Sequence, residues 1–273
     1  MNPDPDPDSD LDLDLDLDLD PYRWLPAVEA IVQQASVLVM AVYAADFAVR
    51  GKADRTPVTE ADERAEALIV PVLQALDTGL AVVAEEAVAA HGAPAVGRRF
   101  WLVDPLDGTR EFVSRNGEFT VNVALVHDGV PVLGVVAAPA LGLMWSGVAG
   151  HGAWVQQGSQ RRPIACRPVP PEGSTVLASR SHGDAAALDA FLAGRRVASV
   201  RNAGSSLKLC LLAAGEADLY PRLGRTMEWD IAAGHAVLAA AGGRVLDLAG
   251  APLRYGKPGF ENPHFAADGG HEG

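Results

Sequence analysis

The segment Phe100 to Thr109, FWLVDPLDGT, constrains the fold more than any other stretch of the chain. Its first four residues are large and apolar and read as a short buried strand. That strand stops at Asp104, and a Pro-Leu turn brings Asp107, Gly108 and Thr109 directly after it. Because Asp104 and Asp107 flank the turn, both carboxylates and the Leu106 carbonyl can converge on one point. Gly108 lets the backbone approach a ligand closely. Thr109 opens a short helix, whose first N–H groups and dipole favour a phosphate. Taken alone, the same six residues are also an ordinary turn, since Pro, Asp and Gly all favour turns.

Residues 80–84 (LAVVA) read as another buried strand, ending at Glu85-Glu86. Ahead of it, Ile31, Val32, Ala35, Leu38, Val39 and Val42 recur at helical spacing and predict an amphipathic helix from Trp24 to about Val49. Thr59, with Asp62 three residues later, has the form of a capping box and opens a second helix. Residues 120–126 and 132–138 flank Asp128-Gly129, a hairpin signal; with 143–147 and 153–155 they predict an antiparallel meander. A Pro-rich linker at 167–173 follows. Beyond it, strands at 176–178, 197–200, 217–220 and 244–248 alternate with helices at 185–192, 206–214 and 231–241. The reading is an α+β half carrying the metal site over 21–170, and an α/β half over 171–268 that completes the substrate site.

Charge and cysteine content narrow the function. The net charge is −13, but nine Asp and no Lys or Arg lie in residues 1–20, a Pro-Asp and Leu-Asp run that reads as a disordered acidic tail. No basic patch suits nucleic acid. Two cysteines, Cys166 and Cys210, without CxxC spacing, argue against a disulfide framework or a zinc ribbon and for a reducing cytoplasm. The apolar stretch 31–47 is interrupted by Gln33, Gln34, Ser36 and Asp46 and falls short of a membrane span. No basic segment followed by an apolar core marks a secretory signal.

Carboxylates recur where predicted strands end or helices begin: Asp62, Glu85, Glu86, Asp104, Asp107 and Asp230. Hard divalent cations take such oxygen ligands. Each residue also has a plainer reading. Glu85-Glu86 can be solvated charges, Asp62 a helix cap, and Asp230 the N-cap of a helix from Ile231. Their common order along the chain argues for a shared site.

These blocks carry a family resemblance. Thr56-Pro57-Val58-Thr59 with Asp62, Ala84-Glu85-Glu86, WLVDPLDGT at 101–109, and Trp229-Asp230-Ile231-Ala232-Ala233-Gly234 resemble the inositol monophosphatase superfamily of lithium-sensitive, magnesium-dependent phosphatases, over about Tyr22 to Asp268. The resemblance implies a layered α-β-α-β-α sandwich. It also implies Glu85, Asp104, Asp107, Asp230 and the Leu106 carbonyl as ligands of two or three Mg²⁺. Asp62 and Thr109 would hold and activate the attacking water, and the Gly108 and Thr109 amides would bind phosphate.

Within that superfamily, residues 101–123 look like the CysQ-type 3′(2′),5′-bisphosphate nucleotidases, as do Ser179-Arg180-Ser181-His182, Gly204-Ser205-Ser206-Leu207-Lys208 and Tyr220-Pro221-Arg222. The implied reaction, in sulfur assimilation, removes the 3′-phosphate of 3′-phosphoadenosine 5′-phosphate and leaves AMP. The implied substrate contacts are Ser205, Ser206, Lys208, His182 and Arg222. The plainer readings are a helix start for Ser205 and Ser206, a surface loop for His182 and a solvated face for Lys208. Arg110 stands where the family commonly has Lys. The alternatives are an inositol or sugar phosphatase of the same superfamily, and a catalytically silent nucleotide or metal sensor. The partner expected is a small phosphate ester, with no nucleic acid and no membrane; a homodimer is compatible with the sequence.

Overall fold

Asp20 caps the first turn of the described residues. Its Oδ1 accepts the Tyr22 N–H at 2.9 Å and lies 3.0 Å from Nε2 of His151. The last residue of the expected tail therefore belongs to the fold. The computed structural model describes residues 20–45, 49–51, 57–179 and 185–270, so the acidic run up to residue 19, Thr56 and His182 lie outside the described residues.

Helix α1 spans Leu25–Ala44 and buries Val28, Ile31, Val32, Ala35, Val39 and Val42 on one face. By length and composition the 24 residues from Pro21 to Ala44 are long and apolar enough to cross a membrane, more than the sequence reading allowed. Here the stripe is buried against a sheet, as in a core helix. The helix stops at Ala44 rather than near Val49, because Ala45 turns extended (φ −94°, ψ 175°) and the Arg115 guanidinium donates to the Tyr43 and Ala45 carbonyls. Val49 instead starts a two-stranded antiparallel ribbon, β1 (Val49–Gly51) with β2 (Pro57–Thr59), which leads into α2 (Glu60–Leu76).

The chain continues through β3 (Ala81–Ala84), α3 (Glu85–His91), β4 (Arg99–Asp107) and α4 (Thr109–Val113). Then comes the meander β5 (Thr120–His127), β6 (Val130–Ala138), β7 (Leu143–Val148), β8 (Gly152–Gln157) and β9 (Gln160–Ile164). These strands form a seven-stranded sheet in chain order, with only the β3–β4 pair parallel. Asp128 (φ 49°) and Gly129 (φ 75°) make the two-residue hairpin turn the sequence signals. Side chains alternate across the central strands. Trp101, Val103, Val121 and Val123 face a core with α1 and α2, whereas Phe100, Leu102, Ala124 and Val126 face the opposite core.

The second part comprises β10 (Ser174–Ser179), α5 (Ala185–Leu192), β11 (Val197–Ala203), α6 (Leu207–Ala213), β12 (Leu219–Arg222), α7 (Glu228–Ala240), β13 (Arg244–Asp247) and β14 (Phe265–Asp268). Its mixed sheet has the order β11-β10-β12-β14-β13. The Pro-rich connection is held at its start by Arg167, whose fork donates to fully buried Asp218 at 2.8 and 3.0 Å. Helices α6 and α7 lie between the two sheets, giving the layered sandwich. Gly134 on β6 and Gly147 on β7 are register partners beneath α7. A Cβ there would meet Ala233 O at 2.2 Å and Val237 Cα at 2.6 Å. Two bare backbones thus let α7 settle directly on the large sheet.

Candidate functional site

The site forms where β3, β4 and the starts of α2, α3, α6 and α7 meet. Asp104 and Asp107 are three residues apart, so a regular strand would point them to opposite faces. A bulge intervenes: Asp104 pairs with Asn122 and Asp107 with Thr120, which places three steps of β4 against two of β5. Pro105 lies in that bulge, where no ladder N–H is needed. The Asp104 carboxylate accepts the Leu106 N–H at 3.0 Å and is almost wholly buried. Glu85, Asp104 and Asp230 each contribute an oxygen to a cluster whose members all lie within 4.8 Å of one another. Asp107 stands beside it, with Oδ2 accepting the Ser206 N–H at 2.7 Å.

Two helices present their carboxylates by one device. Asp62 is the third residue of α2, and its Oδ2 accepts both the N–H and the hydroxyl of Thr59 at 2.8 Å. Asp230 is the third residue of α7, and its Oδ2 accepts the Met227 N–H at 2.8 Å and the Thr226 hydroxyl at 2.7 Å. Helix α7 thus starts at Glu228, not Ile231, and Asp230 caps from inside the first turn. One oxygen closes the helix start, and Oδ1 takes no part in that cap. For Asp62 that atom lies 3.2 Å from the Thr109 hydroxyl, which is also 3.3 Å from the Leu106 carbonyl. Gly108 precedes Thr109 at φ 89°, with its Cβ position 3.2 Å from Glu118 O. Left-handed backbone and crowding both select glycine there.

The Gly204-Ser205-Ser206 loop closes the other side. The Ser206 hydroxyl does not cap α6; it donates to Asp230 O at 2.5 Å and ties α6 to α7. Ser205 has φ 42°, and its buried hydroxyl has no hydrogen-bond partner among the described residues. Lys208 is buried, not on a solvated face, and its Nζ donates to the carbonyls of Ser205 at 2.6 Å and Ala203 at 3.1 Å. Arg222 is nine-tenths buried, with its fork donating to Gly224 O, Ser179 Oγ and Arg225 O. Ser205, Ser206, Lys208, Arg222 and Arg110 line one cavity of about 1130 Å³ together with Glu85, Asp104, Asp107, Thr109 and Asp230.

Some contributors escaped the sequence reading. Buried Glu66 accepts the N–H groups of Glu86 and Ala87, both at 2.8 Å, and so pins the start of α3 where Glu85 sits. Its spacing of four from Asp62, one helical turn on, is the signal that could have found it. Glu118 accepts the Gly204 N–H at 2.8 Å, so the Arg115-to-Phe119 run holds the serine loop.

The donor set fits hard cations: oxygen ligands at close quarters, with their negative charge desolvated. Burial pushes the Asp104 carboxyl well above its ordinary range, and Glu85, Asp107 and Asp230 push it further. Burial and then Asp230 raise Asp107 to about 8; burial and then Glu85 raise Asp230 to about 6. Burial brings Lys208 down to about 8, against the pull of Asp107. For the acids, a folded pKa above the unfolded one means that the folded state holds protons which the unfolded state releases. The metal-free protein is therefore expected to lose stability as pH rises from about 4 to about 8. Saturating divalent cation should cancel that decline and release protons on binding. Melting curves across this range, with and without the cation, check the sign; a metal-free protein that stabilises as pH rises would contradict it.

A family profile described as the inositol monophosphatase family matches residues 20–270. The chain belongs to the inositol monophosphatase family. Members of this family are metal-dependent phosphatases, in keeping with the carboxylate cluster. Among curated relatives, the 3′(2′),5′-bisphosphate nucleotidase CysQ of Escherichia coli (strain K12) is 44% identical over 244 residues, which cover 88% of this chain and 98% of that protein. The protein of that name from Haemophilus influenzae is 31% identical over 248 residues, covering 90% and 92%. Among solved structures, CysQ from Bacteroides thetaiotaomicron superposes with a TM-score of 0.74 at 35% identity, covering 90% of this chain and 97% of that one. An inositol monophosphatase from Zymomonas mobilis superposes at 0.73 with 26% identity, covering 91% and 94%.

Proposed function

We propose that this chain is a magnesium-dependent 3′(2′),5′-bisphosphate nucleotidase of the cytoplasm that converts 3′-phosphoadenosine 5′-phosphate to AMP and phosphate. The observation that carries this reading is the near-full-length likeness to CysQ proteins, joined to a cavity lined by the carboxylate cluster and by Thr109, whose hydroxyl lies 3.2 Å from Asp62 Oδ1. The metal ligands would be Glu85, Asp104, Asp107, Asp230 and the Leu106 carbonyl, holding two or three ions. When bound, the cations neutralise charge on the phosphoryl oxygens and the leaving alkoxide and lower the pKa of the attacking water.

The chain's own groups do the rest. Thr109 donates its hydroxyl proton to Asp62 Oδ1, which leaves the hydroxyl oxygen to accept a hydrogen bond from water. Asp62 is the acceptor for the proton that water gives up, and its capped Oδ2 fixes the direction of Oδ1. Water oxygen attacks phosphorus, the bond to the ribose 3′ oxygen breaks, and the departing alkoxide takes its proton from a solvent water, while Asp62 returns the proton it accepted to solvent. Gly108 and Thr109 amides would steady the phosphoryl group, and the unpartnered Ser205 hydroxyl is available to the substrate. Ser206, Lys208 and Arg222 act by holding the loop and wall of the cavity.

A substrate panel with Mg²⁺ tests the reading. The kcat/KM for 3′-phosphoadenosine 5′-phosphate is expected to exceed that for inositol 1-phosphate and fructose 1,6-bisphosphate by about 10² or more, as when a polar site recognises its own substrate. The reverse order would move the chain to the inositol or sugar phosphatases.

A further inference from the structure

Two polar side chains of β5 lie behind the carboxylate cluster, and neither takes part in the reaction. Thr120 and Asn122 are buried, at 0% and 1% exposure. The Thr120 hydroxyl and both polar atoms of the Asn122 amide have no hydrogen-bond partner among the described residues. A buried polar group left unpaired costs stability, and an apolar residue of similar size would avoid that cost. Their surroundings would accept one: Ala124 and Val126 follow Asn122 on its face of β5, and its partner on β6 is Val136.

Across the other edge of β5 the neighbours are different. Asn122 is the register partner of Asp104, and Thr120 that of Asp107. Phe100 and Leu102 on β4 face the same core as Ala124 and Val126 on β5, so strand alternation puts Asp104 and Asn122 on that face too. The bulge at Pro105 preserves the match: three steps of β4 run against two of β5, and both aspartates meet a polar partner. Side chains opposed across such a ladder have Cβ atoms about 5 Å apart, close enough to hydrogen-bond after a small torsion.

The aspartates have capacity to accept. Asp104 takes the Leu106 N–H and Asp107 takes the Ser206 N–H, one hydrogen bond each to the backbone. A carboxylate offers about four lone-pair sites, so each can meet a cation and still accept from a further donor. Groups that hydrogen-bond a metal ligand from behind fix its direction and tune its affinity.

We propose that Asn122 and Thr120 are positioning residues of the cation site: they hydrogen-bond Asp104 and Asp107 from the β5 side and fix the directions in which those carboxylates meet the cations. This assignment rests on the metal-ligand reading of Asp104 and Asp107 given above. It explains why a sheet packed with valine and alanine keeps an amide and a hydroxyl at these two places.

The test uses the full chain freed of metal, as parent, Asn122→Val, Thr120→Val and Thr120→Ser. Calorimetric titration with Mg²⁺ should give dissociation constants about 10- to 100-fold weaker than the parent for both valine variants, the usual loss when a group behind a metal ligand is removed. Thr120→Ser keeps the hydroxyl and should bind Mg²⁺ close to the parent. Without metal, the valine variants should melt no lower than the parent, because each exchanges an unpartnered polar group for an apolar one. Activity that they lose at low Mg²⁺ should return as Mg²⁺ is raised. A lower melting temperature with an unchanged Mg²⁺ dissociation constant would mean a packing role only, and would overturn this assignment alone. Thr120→Val is isosteric and keeps the test decisive should Asn122→Val fail to fold. A parent that binds no Mg²⁺ would overturn the metal-ligand reading and this assignment together.

Discussion

Asp104→Asn is expected to make the metal-free protein melt higher than its parent while lowering turnover about 10³-fold with Mg²⁺ supplied, equivalent to roughly 4 kcal/mol of lost transition-state stabilisation. Both effects come from one carboxyl. Asp104 is buried on β4, and Glu85, Asp107 and Asp230 all oppose its ionisation. Unfolding lets it ionise, and that favours the unfolded chain at neutral pH. Asparagine removes the penalty, and its side-chain oxygen can still accept the Leu106 N–H. The same change takes a charged carboxylate from the cluster of Glu85, Asp104 and Asp230. Thermal melts with and without Mg²⁺, beside steady-state kinetics, separate the two consequences. Substantial remaining activity, or a lower melting temperature without metal, would remove Asp104 from the role given to it. Sites that work are commonly less stable than the fold would allow.

Gly134→Ala should be costly far from any substrate. The added methyl would lie 2.2 Å from the Ala233 carbonyl oxygen and 2.8 Å from the Ala236 methyl. The first is backbone and cannot rotate aside, so α7 must lift from the sheet. A loss of about 3 kcal/mol is expected, the upper end of the usual overpacking range. Because Asp230 sits in the first turn of α7, activity at saturating substrate should fall even under conditions where the variant is fully folded. Gly97→Ala is the control: no atom lies within 4 Å of its Cβ position, and its φ is not in the left-handed range. Denaturant unfolding of both variants decides the matter. Equal stabilities would mean that α7 does not depend on the bare Gly134–Gly147 pair.

The sequence made the centre of the molecule legible and its margins opaque, for physical reasons. FWLV announced β4 because a strand buried on both faces is apolar throughout. The hairpin at Asp128-Gly129 announced itself by turn chemistry. Strand β9, Gln160–Ile164, did not, because an edge strand exposed along most of its length carries no apolar alternation. Strand β14 is four residues long and exists by pairing with β12 and β13, its partners from earlier in the chain. Helix α3 was hidden because the groups that hold its first turn come from Glu66, twenty residues earlier. For the site, residue types and order located Asp62, Glu85, Asp104, Thr109 and Asp230. Sequence could not reveal that Lys208 is buried under its own loop, since an exposed and a buried lysine look alike at helical spacing.

The shared carboxylates of Asp62 and Asp230 carry a further consequence. Each closes the first turn of its helix with one oxygen and also belongs to the site, Asp62 through the Thr109 hydroxyl and Asp230 through the carboxylate cluster. Fraying of α2 or α7 and disassembly of the site are therefore the same molecular event. A ligand that grips the second oxygen of either residue draws on the free energy of helix termination, and a chain that keeps its helix starts intact has already oriented these carboxylates. Occupancy of the cavity and the integrity of two distant stretches of helix thus rise and fall as a single equilibrium.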